Sequence, residues 1–108
     1  MTTFDDRERA FETKFSHDEE MKFRVIARRN RLLGEWAAAK MGLSEAEADA
    51  YARDVIHADF EDAGEEDVVR KLLGDLTGAG VEIDEPQIRD ALSHKTVEAR
   101  RQLMEAQG

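Results

Sequence analysis

Four helix-start signals divide this chain into amphipathic runs, and no other feature constrains its fold as strongly. Ser16-His17-Asp18-Glu19 and Ser44-Glu45-Ala46-Glu47 both read Ser-x-x-Glu. In that capping box the serine oxygen and the glutamate carboxylate satisfy amides that have no partner inside the helix. Glu65-Glu66-Asp67 places negative charge where a helix N-terminus welcomes it. Asp84-Glu85-Pro86-Gln87 sets the only proline inside a first turn. Gly42, Gly64 and the Gly78-Ala79-Gly80 stretch supply stops.

Between these marks the apolar residues recur at helical spacing. The first run carries Met21, Val25, Leu32 and Trp36, widened by Ile26, Leu33 and Ala37. The second buries Ala48, Tyr51, Ala52, Val55, Ile56 and Phe60, and the third Val68, Val69, Leu72, Leu73 and Leu76. Ile88, Ala91, Leu92, Thr96, Ala99 and Leu103 form the stripe of the fourth. The expected fold is all-α: a compact antiparallel four-helix bundle with a mobile N-terminal arm. Residues 1–17 form the arm and 18–108 the bundle, with helices at about 18–41, 45–62, 66–77 and 85–105.

Composition narrows the function classes. A chain of 108 residues is one domain's worth, and 38% charged residues exceed the usual quarter. No apolar run approaches eighteen residues, so no membrane insertion is expected. The start MTTFDDRERA lacks the features of a secretory signal, and the absence of cysteine removes disulfides, thiolate metal sites and thiol catalysis. A cytoplasmic protein fits. The net charge of −9 is uneven, because residues 44–92 hold fifteen acids against four bases. Such a field repels phosphate backbones, so no nucleic-acid partner is expected, despite the basic run Ala27-Arg28-Arg29-Asn30-Arg31.

Sites for chemistry fail one by one. The acid-rich Asp59–Gly64 stretch has glycine at the sixth position of an EF-hand loop, but position five is Ala63 and position twelve is Arg70, so no metal is expected. His17, His57 and His94 lack the i, i+4 spacing of a zinc helix, and Gly74–Gly80 lacks the lysine and hydroxyl that grip phosphate. No serine or lysine is paired with a base, so the chain reads as a non-enzyme. One polar pair stands out instead. Arg29 falls within the first apolar stripe and Asp59 within the second, placing them to meet across the bundle and fix its register.

The arm carries the chain's oddest composition. FDDRERAFETKF (4–15) holds three of five phenylalanines among seven charges. Phe4, Phe11 and Phe15 are seven and four residues apart, within about 40° of one another on a helix. Asp5 and Arg9 make an i, i+4 pair with the acid first. Burying three phenylalanines yields roughly 5–9 kcal/mol, while ordering a dozen backbone residues costs about 1–2 kcal/mol each. A preformed groove with further contacts is therefore needed, either on the chain's own bundle or on a partner.

Taken in order, FDDRERAFETKFSHDEEMKF (4–23), ARRNRLLGEWAAAKMGLS (27–44) and YARDVIHADFEDAGEEDVVRKL (51–72) resemble the zeta subunit of the alphaproteobacterial proton-translocating ATP synthase. The stretch from Leu73 resembles that family's ending more loosely. The resemblance implies a helical bundle behind a mobile arm, and a regulatory subunit that inhibits ATP hydrolysis by the catalytic head. It implies partners in the alpha, beta and gamma subunits: the arm enters a catalytic alpha/beta interface beside the gamma shaft, folds into a helix there and blocks hydrolytic rotation. Carried onto this chain, Phe4, Phe11 and Phe15 are the anchors, and Arg7, Arg9 and Lys14 meet acidic groups of the partner. The protein would be monomeric when free and peripheral on the inner membrane through the synthase. The family also suggests an ADP or ATP ligand on the bundle, with Arg28, Arg29 and Arg31 as its contacts, though no cofactor is required. The competing reading is an adenine-nucleotide- or effector-binding helical module with no inhibitory role.

Overall fold

The computed structural model describes the backbone of residues 3–58 and 65–107, and the side chains of residues 20–57 and 65–106. Four helices follow in order: α1 Thr3–Met41, α2 Glu45–Ala58, α3 Glu65–Gly78 and α4 Glu85–Gln107. No strand occurs among the described residues. They pack as the expected antiparallel bundle, with α1 against all three others and α3 filling the space beside α2 and α4.

The punctuation of α2 to α4 is what the sequence encodes. At the start of α2 the Ser44 amide donates to Glu47 Oε1 at 3.0 Å and the Glu47 amide to Ser44 Oγ at 3.3 Å. The same reciprocal box opens α4, where the Asp84 amide donates to Gln87 Oε1 and the Gln87 amide to Asp84 Oδ1, at 3.0 and 2.9 Å. Gly42, at φ 71°, ends α1 in a Schellman motif: Leu43 N–H donates to the Ala38 carbonyl and Gly42 N–H to that of Ala39. Gly80, at φ 84°, repeats the device after α3, with Val81 N–H on the Leu76 carbonyl and Gly80 N–H on that of Thr77.

One boundary differs. The Ser16 box predicts a helix start, yet α1 passes through Ser16 without interruption from Thr3. Nucleating a new helix is costly, whereas extending an existing one adds a hydrogen bond per residue, and FDDRERAFETK contains no breaker. Helix α1 is 39 residues long, about 58 Å at 1.5 Å per residue, in a molecule whose longest dimension is 64 Å. It exceeds α4, the next longest, by sixteen residues.

The core gathers Leu33 and Ala37 of α1, Val55 of α2, Val68, Val69, Leu72 and Leu76 of α3, and Ile88 and Leu92 of α4. Met41, Tyr51, Val81 and Ile83 close its edges. The stripes of α3 and α4 match their apolar spacing. On α1 the buried face is rotated: Val25, Leu33, Ala37 and Ala38 are buried with Arg29 and Asn30, while Leu32 and Trp36 are half-exposed. Gly34 explains the rotation, because a Cβ there would stand 2.6 Å from Ala52 Cα. Only a residue without a side chain permits α2 to approach α1 so closely. Phe60 and Asp59, expected on the second apolar stripe, lie outside the described residues.

Candidate partner-binding surface

The residues expected to bind a partner all lie in the N-terminal part of α1. Phe4, Arg7, Arg9, Phe11, Lys14 and Phe15 fall outside the described side chains, but their backbone is helical. A helical backbone brings positions 4, 11 and 15 onto one face, as a groove-binding helix requires. The first buried hydrophobic residue of α1 among the described side chains is Val25. Met21 is half-buried, and Lys22, Phe23 and Arg24 are exposed.

Arg28, Arg29 and Arg31, expected as nucleotide contacts, are not brought to one site. Arg28 is exposed, whereas Arg29 is 5% exposed inside the bundle. Its Nε donates to Asn30 Oδ1 at 3.0 Å, and its terminal nitrogen lies 3.8 Å from Glu65 Oε1 at the first residue of α3. Arg31 is on the surface between Glu35, at 3.2 Å, and Asp49 of α2, at 3.5 Å. The shallow hollow around it is also lined by Glu45, so its carboxylates oppose a phosphate. Asp59, expected to meet Arg29, lies outside the described residues.

Sequence reasoning missed two polar features. Asn30 is fully buried beside Arg29; its position one residue along from the buried arginine was the available signal. Tyr51 of α2 donates to Asp75 Oδ2 of α3 at 2.7 Å, and Lys71 reaches the same oxygen at 3.1 Å while lying 5.3 Å from the Tyr51 ring centre. Burial pushes the Tyr51 phenol up, and its bond to Asp75, with the negative charges of Asp75 and Asp54, adds to the shift. The pair ties α2 to α3.

Among the described residues no three His, Cys, Asp or Glu side chains stand together to hold a metal ion, and no helix is long and apolar enough to cross a membrane. His57 and His94 are exposed, the latter 3.6 Å from Asp90; His17 lies outside the described side chains. Large apolar side chains stand out on the surface at Phe23, and at Val97 and Met104 on one face of α4.

The chain is similar to a protein solved by solution NMR, with 46% identity over a match that covers 80% of this chain and 98% of that one, at a TM-score of 0.71. None of the curated proteins matches. The family model of ATPase inhibitor subunit zeta matches residues 1–102, which takes in α1 to α3 and most of α4, including the phenylalanine-bearing start of α1. On that match, the chain belongs to the ATPase inhibitor subunit zeta family.

Proposed function

We propose that this chain inhibits ATP hydrolysis by the catalytic head of a proton-translocating ATP synthase, with residues 1–17 as the working part. In this reading the arm enters a catalytic alpha/beta interface next to the gamma shaft. Phe4, Phe11 and Phe15 fill apolar pockets there, while Arg7, Arg9 and Lys14 pair with acidic groups. The bundle, residues 18–108, holds its place on the outside. Hydrolytic rotation then presses the wedged helix against the shaft, whereas rotation in the synthetic direction expels it.

The observation that carries this reading is the reach of the family match, which begins at residue 1 and so includes the aromatic arm as well as the bundle. The geometry agrees. A helix of about fifteen residues is marginal alone in water, but here it continues from a packed helix, which removes the cost of a new nucleus. Amphipathic helices whose apolar anchors recur on one face, here seven and four residues apart, are suited to grooves.

Titrating the full chain into the purified head of its host's synthase tests the proposal. Hydrolysis falling toward zero near a one-to-one ratio is the expected result. Hydrolysis unchanged at a large excess of folded chain overturns it. The nucleotide-module reading predicts instead that ADP or ATP shifts the amide resonances of the bundle around Arg28 and Arg31, with no effect on the head.

A further inference from the structure

The outer face of α4 carries a narrow stripe that the bundle does not use. Ile88, Leu92 and Ala99 are buried and mark the inner face of this helix. Asp90, His94, Val97, Arg101 and Met104 lie opposite them, all within about 40° of one line at 3.6 residues per turn. Their spacing of four, three, four and three residues is the seam spacing of paired helices. All five are exposed, Val97 by 67% and Met104 by 70%. A single exposed apolar residue is ordinary on a surface; here two share one line with charges of both signs. Asp90 is 3.6 Å from His94, and Arg101 is 3.9 Å from Glu105. Such long, solvated i, i+4 contacts exchange at little cost.

We propose that two copies of this chain pair weakly through this face, α4 against α4 in antiparallel orientation. Charge sets the arrangement. With the two-fold axis midway between Lys95 and Thr96, Asp90 of each copy faces Arg101 of the other, His94 faces Val97, and Gln87 faces Met104. Symmetry makes each of these contacts twice. A parallel pairing would instead set Asp90 on Asp90 and Arg101 on Arg101, and a shift of one heptad either way takes Arg101 away from Asp90. The chain's net charge of −9 opposes self-association at large, but this face is balanced locally, with Asp90 and Glu105 against Arg100 and Arg101. From Gln87 to Met104 the face is about 26 Å long at 1.5 Å per residue. One helix face of that length falls short of the ~800 Å² per partner of a standard stable interface, which makes this a concentration-dependent encounter. The dilute chain stays monomeric.

Sedimentation equilibrium of the full chain between about 20 µM and 2 mM tests the pairing, and the weight-average mass should climb from monomer toward dimer over that range. The salt should be about 0.15 M, where the Debye length of ~8 Å screens the net charge and leaves close pairs in place. Arg101→Glu and Asp90→Arg are both exposed changes, and circular dichroism should show the helix content of the parent. Each sets like charges opposite one another at two symmetric places and should weaken association at least about tenfold. The double variant restores both pairs with the signs exchanged, and should associate within about threefold of the parent. A chain that stays monomeric across the range overturns the pairing. A dimer that survives Arg101→Glu, or one that the double variant fails to restore, overturns it equally. The measurement is made on the chain alone, so its outcome is independent of the inhibitory reading.

Discussion

Gly34 of α1 and Ala52 of α2 are in backbone contact, so that a Cβ on Gly34 would lie 2.6 Å from Ala52 Cα and 3.1 Å from its Cβ. The obstacle is main chain, which cannot swing aside as a long side chain would. Alanine is the better helix former by about 1 kcal/mol, but Gly34→Ala forces the two helices apart and opens the core at Leu33 and Val55. The expected result is a net loss of about 1–3 kcal/mol, seen as a lower melting temperature by calorimetry or circular dichroism. A melting temperature equal to or above that of the parent chain would contradict the close approach.

The Tyr51–Asp75 bond is the second link between elements with a measurable signature. Tyr51→Phe keeps the ring and deletes the hydroxyl, leaving Asp75 paired with Lys71, so stability should fall by about 1 kcal/mol at neutral pH. The phenol's folded-state pKa is raised, which means the folded chain holds this proton more tightly than the unfolded chain. Its contribution is therefore complete below the ordinary phenol value of 10.0 and is lost as pH rises above it. Urea midpoints measured from pH 8 to 11 should decline more steeply in the parent than in Tyr51→Phe.

At the start of α2 the sign is opposite. The Ser44 amide, and after it the Ser44 hydroxyl, hold the Glu47 carboxyl below its ordinary value of 4.5. A lowered carboxyl stabilises the fold above that value, and the contribution disappears as pH falls through the lowered folded-state one. Amide exchange at Ser44 should accelerate, relative to the helix interior, between pH 5 and pH 3. Glu47→Gln retains an acceptor without the titrating charge and should flatten that dependence, while Ser44→Ala should cost about 1 kcal/mol at neutral pH.

The buried polar pair gives a prediction about order more than stability. Arg29 reaches Asn30 and the Glu65 carboxylate, which is largely exposed, so removal of Arg29 leaves a carboxylate that water can solvate. Arg29→Met, similar in length and apolar, should change stability by less than about 1.5 kcal/mol while broadening the resonances at the start of α3. Sharp, unshifted resonances for residues 65–68 would show that Arg29 has no part in fixing that junction.

How much of this was legible in the sequence depends on the kind of signal. Local codes carried well: Ser44 and Glu47, Asp84 and Gln87, Gly42 and Gly80 each act through partners within a few residues. The core of α3 was legible because Val68, Val69, Leu72 and Leu76 have no polar competitor on their face. Helix α1 was less so. Its buried face turns on Gly34 meeting Ala52, a contact between residues eighteen apart that periodicity does not encode, and so Asn30 is buried while Leu32 and Trp36 are half-exposed. The Ser16 box was read as a boundary because a cap motif is local, whereas helix continuation depends on the preceding dozen residues. The phenylalanine stripe could be read from spacing alone, but spacing does not encode the surface that covers it.

The central claim is that the arm's aromatic face does the inhibiting while the bundle keeps its fold. It is tested most directly by comparing hydrolysis by the purified catalytic head in the presence of the parent chain and of the Phe11→Ala, Phe15→Ala double variant, with melting temperatures measured on both chains. The account predicts that the variant loses inhibition by at least tenfold in the concentration required and melts within a few degrees of the parent. A variant that inhibits as well as the parent would contradict it, as would a large fall in melting temperature, which would place these phenylalanines on the chain's own bundle.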